Sequence, residues 1–186
     1  GLMIMMLAHG ISSAALFIMC GQVYERLHTR DLRKMGGIRG QFQYLPFFLM
    51  FFVAALVGIP GLGNFIGEFL ILMGSFEKFP TFTILAAISL VLAGLYGLIL
   101  IHKAMFGTPN EEQKQHYTNP LKDLNSREIV ILLVCAVALL WLGIYPQSFL
   151  DISNSSMAWL ANSYIPVQDV VDATQQVVSQ QNVEIQ

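Results

Sequence analysis

The sequence is short of charge, of cysteine and of basic clusters, and each shortage removes a class of protein. Only 12% of its 186 residues are charged, ten of them Lys or Arg, and the formal net charge is -2. No run or helix face concentrates those cations, so nothing electrostatic points to nucleic acid. The two cysteines, Cys20 and Cys135, stand far apart in apolar runs without a C-x-x-C pair. Such spacing indicates neither a disulfide framework nor a zinc or iron-sulfur site. The first apolar run has no initiator Met and no charged segment before it, unlike a signal peptide. The chain is therefore read as a piece of a longer protein.

Apolar residues are what the sequence has in excess. At 55% hydrophobic residues and a mean hydropathy of +0.59, it exceeds what one soluble core needs, which places it in the membrane class. Crossing the hydrocarbon core takes about 20 helical residues. Four stretches qualify, at about 1–26, 45–78, 80–104 and 127–147. Backbone amides in lipid need internal partners, and no alternating ten-residue pattern suggests a barrel. The predicted fold class is thus all-α, a polytopic transmembrane bundle of four spans over residues 1–150. Asn125 and Glu128 are spaced as a capping box before the last span.

Loop charge sets the orientation. Arg26, Arg30, Arg33, Lys34 and Arg39 fall between the first two spans, and Lys103, Lys114, Lys122 and Arg127 between the last two. Both connections are predicted to be cytoplasmic. The tail, 151–186, carries acids but neither Lys nor Arg, so it is predicted on the non-cytoplasmic side. Ile152, Trp159, Leu160 and Tyr164 suit a short interfacial helix over 152–164.

The second run is the informative one. Residues 45–76 would reach roughly 48 Å as one helix, well beyond a core of ~30 Å. Pro60 removes a donor, and Gly58, Gly61 and Gly63 admit unusual backbone angles. A helix break at Gly58, Pro60, Gly61, Gly63 and Asn64 follows, with Asn64 as a cap of the second half. Broken backbone at membrane depth is tolerated where protein covers it or water reaches it, as in ion transporters. Glu68 lies about one turn beyond, close to the bilayer midplane. A lone acid there is costly, and that cost makes it a candidate proton carrier. His9, with Ser12 and Ser13 a turn away, forms a polar stripe in the first span and is a candidate relay. His102 and Lys103 close the third span, where Lys103 can anchor by snorkelling; with Ser12 and Ser13 they are secondary candidates.

Residues 8–34 with Met35-Gly36-Gly37, then Pro60-Gly61-Leu62-Gly63-Asn64-Phe65-Ile66-Gly67-Glu68-Phe69, and finally Tyr145-Pro146-Gln147 carry a resemblance. The chain resembles the antiporter-like membrane subunits of respiratory complex I, the proton-translocating NADH:quinone oxidoreductase, in particular the subunit M branch, whose mitochondrial counterpart is chain 4. The resemblance implies a fourteen-helix fold of which these are the last four helices. It implies that Glu68 stands where most sister subunits have Lys, near the outer proton exit, and that His9 lies on the central hydrophilic axis. It further implies a conduit that couples NADH oxidation and quinone reduction to proton pumping. NADH, FMN, iron-sulfur clusters and quinone would sit on partner subunits, with none in this chain, and the fragment alone would not be catalytic. The implied partners are other complex I membrane subunits, including sister antiporter-like ones, together with lipid and protons. The implied place is the bacterial inner membrane with a periplasmic C-terminus. Rival expectations are a subunit of a multisubunit sodium/proton antiporter and a structural membrane subunit without an ion path.

Overall fold

The computed structural model describes residues 1–29, 31, 37–107, 122–154, 156 and 158–160. Every regular element among them is helical. They fall into two compact units, Gly1–Pro146 and Gln147–Gln186.

The first unit holds α1 (Leu2–Leu27), α2 (Ile38–Gln41), α3 (Leu45–Leu56), α4 (Gly63–Phe76), α5 (Pro80–Phe106) and α6 (Ser126–Ile144). Of these, α1, α5 and α6 are long and apolar enough to cross a membrane, while α3 and α4 are shorter apolar helices of 12 and 14 residues. The residues expected to form one run from 45 to 78 are therefore two helices joined by residues 57–62.

Helix α1 is the hub, packed against α3, α4 and α6. Its buried residues are Ile4, Ala8, Ser12, Ala15, Met19 and Val23, a stripe at steps of three and four that forms one helical face. Met5 of α1 approaches Gly67 of α4 so closely that a Cβ there would stand 2.7 Å from the Met5 Cα. By contrast, α5 buries only Thr83, Gly97, Ala104 and Met105 and leaves most of its apolar surface open. In a membrane protein such a face meets lipid or further helices.

The helix ends have local causes. Helix α5 opens on Pro80, whose missing N–H is no loss in the first turn. At α6 the predicted capping box is present: the Asn125 side chain accepts from the Glu128 amide, and Glu128 Oε2 from the Asn125 amide at 2.7 Å, while Asn125 Oδ1 also accepts from the Ser126 amide at 2.8 Å. This helix stops at Ile144 rather than 147, because Pro146 forces the residue before it out of the helical region, and Tyr145 has φ -126°.

In the second unit, residues 147–154, 156 and 158–160 are helical. The helix begins at 147, five residues before the expected 152, and Gln147 Nε2 donates to Asp151 Oδ1 at 2.9 Å one turn on. The expected continuation to Tyr164, like Arg30, Arg33, Lys34 and Lys114 of the loop-charge argument, lies outside the described residues.

Candidate functional site

The break is a helix stop followed by a tight turn. At the end of α3 the Gly58 amide donates to the Ala55 carbonyl at 3.2 Å and the Ile59 amide to the Ala54 carbonyl at 3.1 Å. With Gly58 at φ +76°, this is the Schellman arrangement, which needs a residue tolerant of the left-handed region. Next, the Leu62 amide donates to the Ile59 carbonyl at 3.3 Å across Pro60 and Gly61, and Gly61 has φ +98°. Pro before Gly at positive φ is the sequence of a type II turn. Gly58, Pro60 and Gly61 thus make the break, whereas Gly63 and Asn64 stand in the first turn of α4.

Asn64 does not cap α4. Leu62 is the N-cap, with no side-chain bond. The Asn64 amide is used elsewhere: fully buried, its Nδ2 donates to the Ala55 carbonyl at 2.7 Å and to Ser12 Oγ at 3.0 Å. Ser12 Oγ in turn donates to the His9 carbonyl at 3.1 Å. A short polar chain therefore runs from the end of α3 through α4 into α1.

Glu68 lies one turn beyond Asn64, on the same side of α4. Its carboxyl sits over Gly58: a Cβ added there would stand 3.1 Å from Glu68 Cδ, 3.4 Å from Oε1, and in collision with Oε2. Glu68 Oε2 is shut off from solvent and finds no hydrogen-bond donor among the described residues; the same holds for Asn64 Oδ1. Neither Lys nor Arg pairs with Glu68 among those residues. The arrangement offers a carboxyl that can hold or release a proton at a gap between two half-helices.

The other candidates are spread out. His9 contributes its backbone carbonyl to the polar chain, but its side chain is exposed on α1. Ser13 is half-buried beside it. His102 and Lys103 are exposed near the end of α5, with His102 6.1 Å from the Phe106 ring. Among the described residues no group of three or more His, Cys, Asp or Glu could hold a metal ion.

Sequence reasoning missed a second polar cluster at the opposite end of α3. Arg26 pairs with Glu128 at 2.8 Å and also donates to the carbonyls of Lys122, Asp123 and Gln22. The Asp123 carboxylate accepts from the amides of Gln43 at 2.8 Å, Tyr44 at 2.9 Å, Leu45 at 3.4 Å and Leu124 at 2.7 Å. It caps α3 from 78 residues away, supplying the acceptor that Tyr44 lacks. Burial raises the proton affinity of Asp123, but the bonds from Tyr44, Leu124, Gln43 and Leu45 outweigh it and hold the carboxyl below the usual 3.8. Arg26, Lys122, Asp123, Asn125 and Glu128 line a cleft of about 380 Å³ with Glu25 and His28.

Comparisons with known proteins show what the chain is similar to. Residues 1–106 match the family described as "NADH:quinone oxidoreductase/Mrp antiporter, TM". Subunit M of the Pseudomonas aeruginosa NADH-quinone oxidoreductase is 50% identical over 157 residues, covering 84% of this chain and 30% of that protein. Its Escherichia coli K12 counterpart is 44% identical over 167 residues, covering 88% and 32%. Chain 4 of the Marchantia polymorpha NADH-ubiquinone oxidoreductase is 35% identical, covering 85% and 31%. Among solved structures, a chain of respiratory complex I from Thermus thermophilus with bound NADH superposes with a TM-score of 0.68 at 30% identity, covering 76% of this chain and 29% of that one. The chain thus spans about a third of the length of the relatives it matches.

Proposed function

Because this chain belongs to the membrane family of NADH:quinone oxidoreductases and Mrp antiporters, we propose that it forms the exit-side part of a proton path in a subunit M of complex I. One observation carries the reading: a carboxyl, Glu68, seated on the Gly58 backbone where α3 and α4 part, with one oxygen away from solvent and no Lys or Arg paired with it among the described residues. Buried carboxyls within membrane spans are costly and mark ion paths. In this reading α3, the break and α4 cross the membrane together as the second of four spans, the last four of a fourteen-helix fold. Residues 151–186 form the periplasmic tail, and the membrane is the bacterial inner membrane.

In the same reading Glu68 takes up and releases the proton, and His9 is a relay. The His9 side chain points off the described bundle, and relatives nearly three times this length supply further sequence to face it. NADH, FMN, iron-sulfur clusters and quinone belong to partner subunits, and this chain contributes the conduit.

The test is Glu68→Gln in the full-length subunit within the assembled complex. Quinone reduction and proton pumping are both expected to fall to a small fraction of wild type. Wild-type values for both would remove Glu68 from the path and favour a structural subunit. The family description also covers antiporters, so vesicles should be assayed for sodium/proton exchange. Exchange without NADH oxidation would move the chain to that branch.

A further inference from the structure

Three features compete for a role beyond the proton carrier. In the cleft around Arg26 and Asp123, the charges of Arg26, Glu128 and Asp123 are taken up by one another or by backbone. The groove of about 420 Å³ between α4 and α5 is lined by Ile71, Leu72, Phe79, Phe82 and their neighbours without an ionisable group. The third, Asn64, is a fully buried amide whose two protons both have acceptors, while its oxygen finds no donor among the described residues.

The orientation of that amide is forced. The Ala55 carbonyl can only accept, so Nδ2 faces it. Ser12 spends its single proton on the His9 carbonyl and is therefore an acceptor toward Asn64. The Ala55 carbonyl consequently receives two donors, the Asn64 amide and the Gly58 amide. Gly58 is also the residue on which the Glu68 carboxyl rests. Helix α4 thus grips the end of α3 at two points one turn apart: Asn64 through Ala55, and Glu68 through Gly58.

We propose that Asn64 is a positioning residue for Glu68, holding the first turn of α4 against the last turn of α3 so that the carboxyl stays on Gly58. The inference rests on the reading of Glu68 as the proton carrier. Asn64 touches neither the proton nor the carboxyl; it acts through the Ala55 carbonyl, and the Ser12 bond ties the same grip to α1. Losing the grip frees the Glu68 side chain from its backbone seat and opens Oε2.

The experiment reads the Glu68 carboxyl itself. The full-length subunit in its complex is treated with a hydrophobic carbodiimide, which modifies protonated carboxyls, and the Glu68 peptide is followed by mass spectrometry. In Asn64→Leu the modification rate is expected to rise about twofold or more, in proportion to the loss of one or two hydrogen bonds, and protons pumped per NADH to fall by a similar factor. An unchanged rate at Glu68 in an assembled Asn64→Leu complex overturns the proposal. Should Asn64→Leu not assemble, Ser12→Ala removes one of the two acceptors with the loss of a single atom, and the same rise is expected; no rise overturns the proposal there. Glu68→Gln, run alongside, separates the two ideas. Normal pumping in that variant sinks the proton-carrier reading, while the labelling rate still decides whether Asn64 positions the carboxyl.

Discussion

The carboxyl of Glu68 and the Cα of Gly58 occupy one niche, so close that no side chain fits at 58 without moving the acid. Gly58 is thereby constrained twice. Its φ of +76° costs any other L residue about 1–2 kcal/mol, and its missing Cβ makes room for Oε2.

Gly58→Ala is expected to destabilise the protein by about 1–2 kcal/mol through backbone strain, and to push the flexible Glu68 carboxyl off its seat. Thermal unfolding of the detergent-solubilised protein measures the loss, and proton pumping should fall with it. Stability and pumping equal to wild type would show that the carboxyl does not rest on Gly58.

Gly143 of α6 docks on the break itself. A Cβ at this position would stand 2.6 Å from both the Gly61 carbonyl carbon and the Leu62 Cα and would collide with the Gly61 oxygen. The obstacle is backbone, which yields less readily than a flexible side chain, so Gly143→Ala should cost about 1–3 kcal/mol. Gly74→Ala, with nothing within 4 Å, is the control and should be near neutral by the same thermal assay.

Arg26 is irreplaceable by Lys if its fork matters. The guanidinium joins Glu128 to the carbonyls of Lys122 and Asp123, and the paired side chains are only 11% and 22% exposed. A Lys cannot reach all three acceptors, so Arg26→Lys is expected to cost about 1–3 kcal/mol, nearly as much as Arg26→Ala. A neutral Arg26→Lys in chemical unfolding would reduce the cluster to a single surface ion pair.

Asp123 predicts a pH dependence with a definite sign. Its carboxyl is held below 3.8 when folded, so the stabilisation is complete above that ordinary value and is lost as pH falls through the lowered one. Acid titration of stability should therefore show a decline below about pH 4 that Asp123→Asn flattens. An identical acid limb in the two proteins would mean that the carboxylate does not cap α3.

Much of this architecture was legible because its causes are local. Apolar runs of sufficient length specify α1, α5 and α6, and the capping box at Asn125 and Glu128 is written within four residues. Gly58, Pro60 and Gly61 announce the break through backbone angles that only such residues meet at low cost. Gly63 and Asn64 were harder to assign, since a residue just before a helix and one just inside it look alike in sequence.

The chain by itself determined that it is helical and apolar, that one run of it cannot remain a single helix, and that a carboxyl follows the interruption. These follow from residue-by-residue chemistry and the reach of a helix. Tertiary structure alone decided that Asn64 turns its amide to Ala55 and Ser12 instead of capping α4. It also set Asp123 on the first turn of α3 and Gly143 on the break. Ala55 lies nine residues from Asn64 and the other partners lie tens of residues apart, and hydrogen bonds or close contacts between them depend on how helices dock, which no local periodicity encodes.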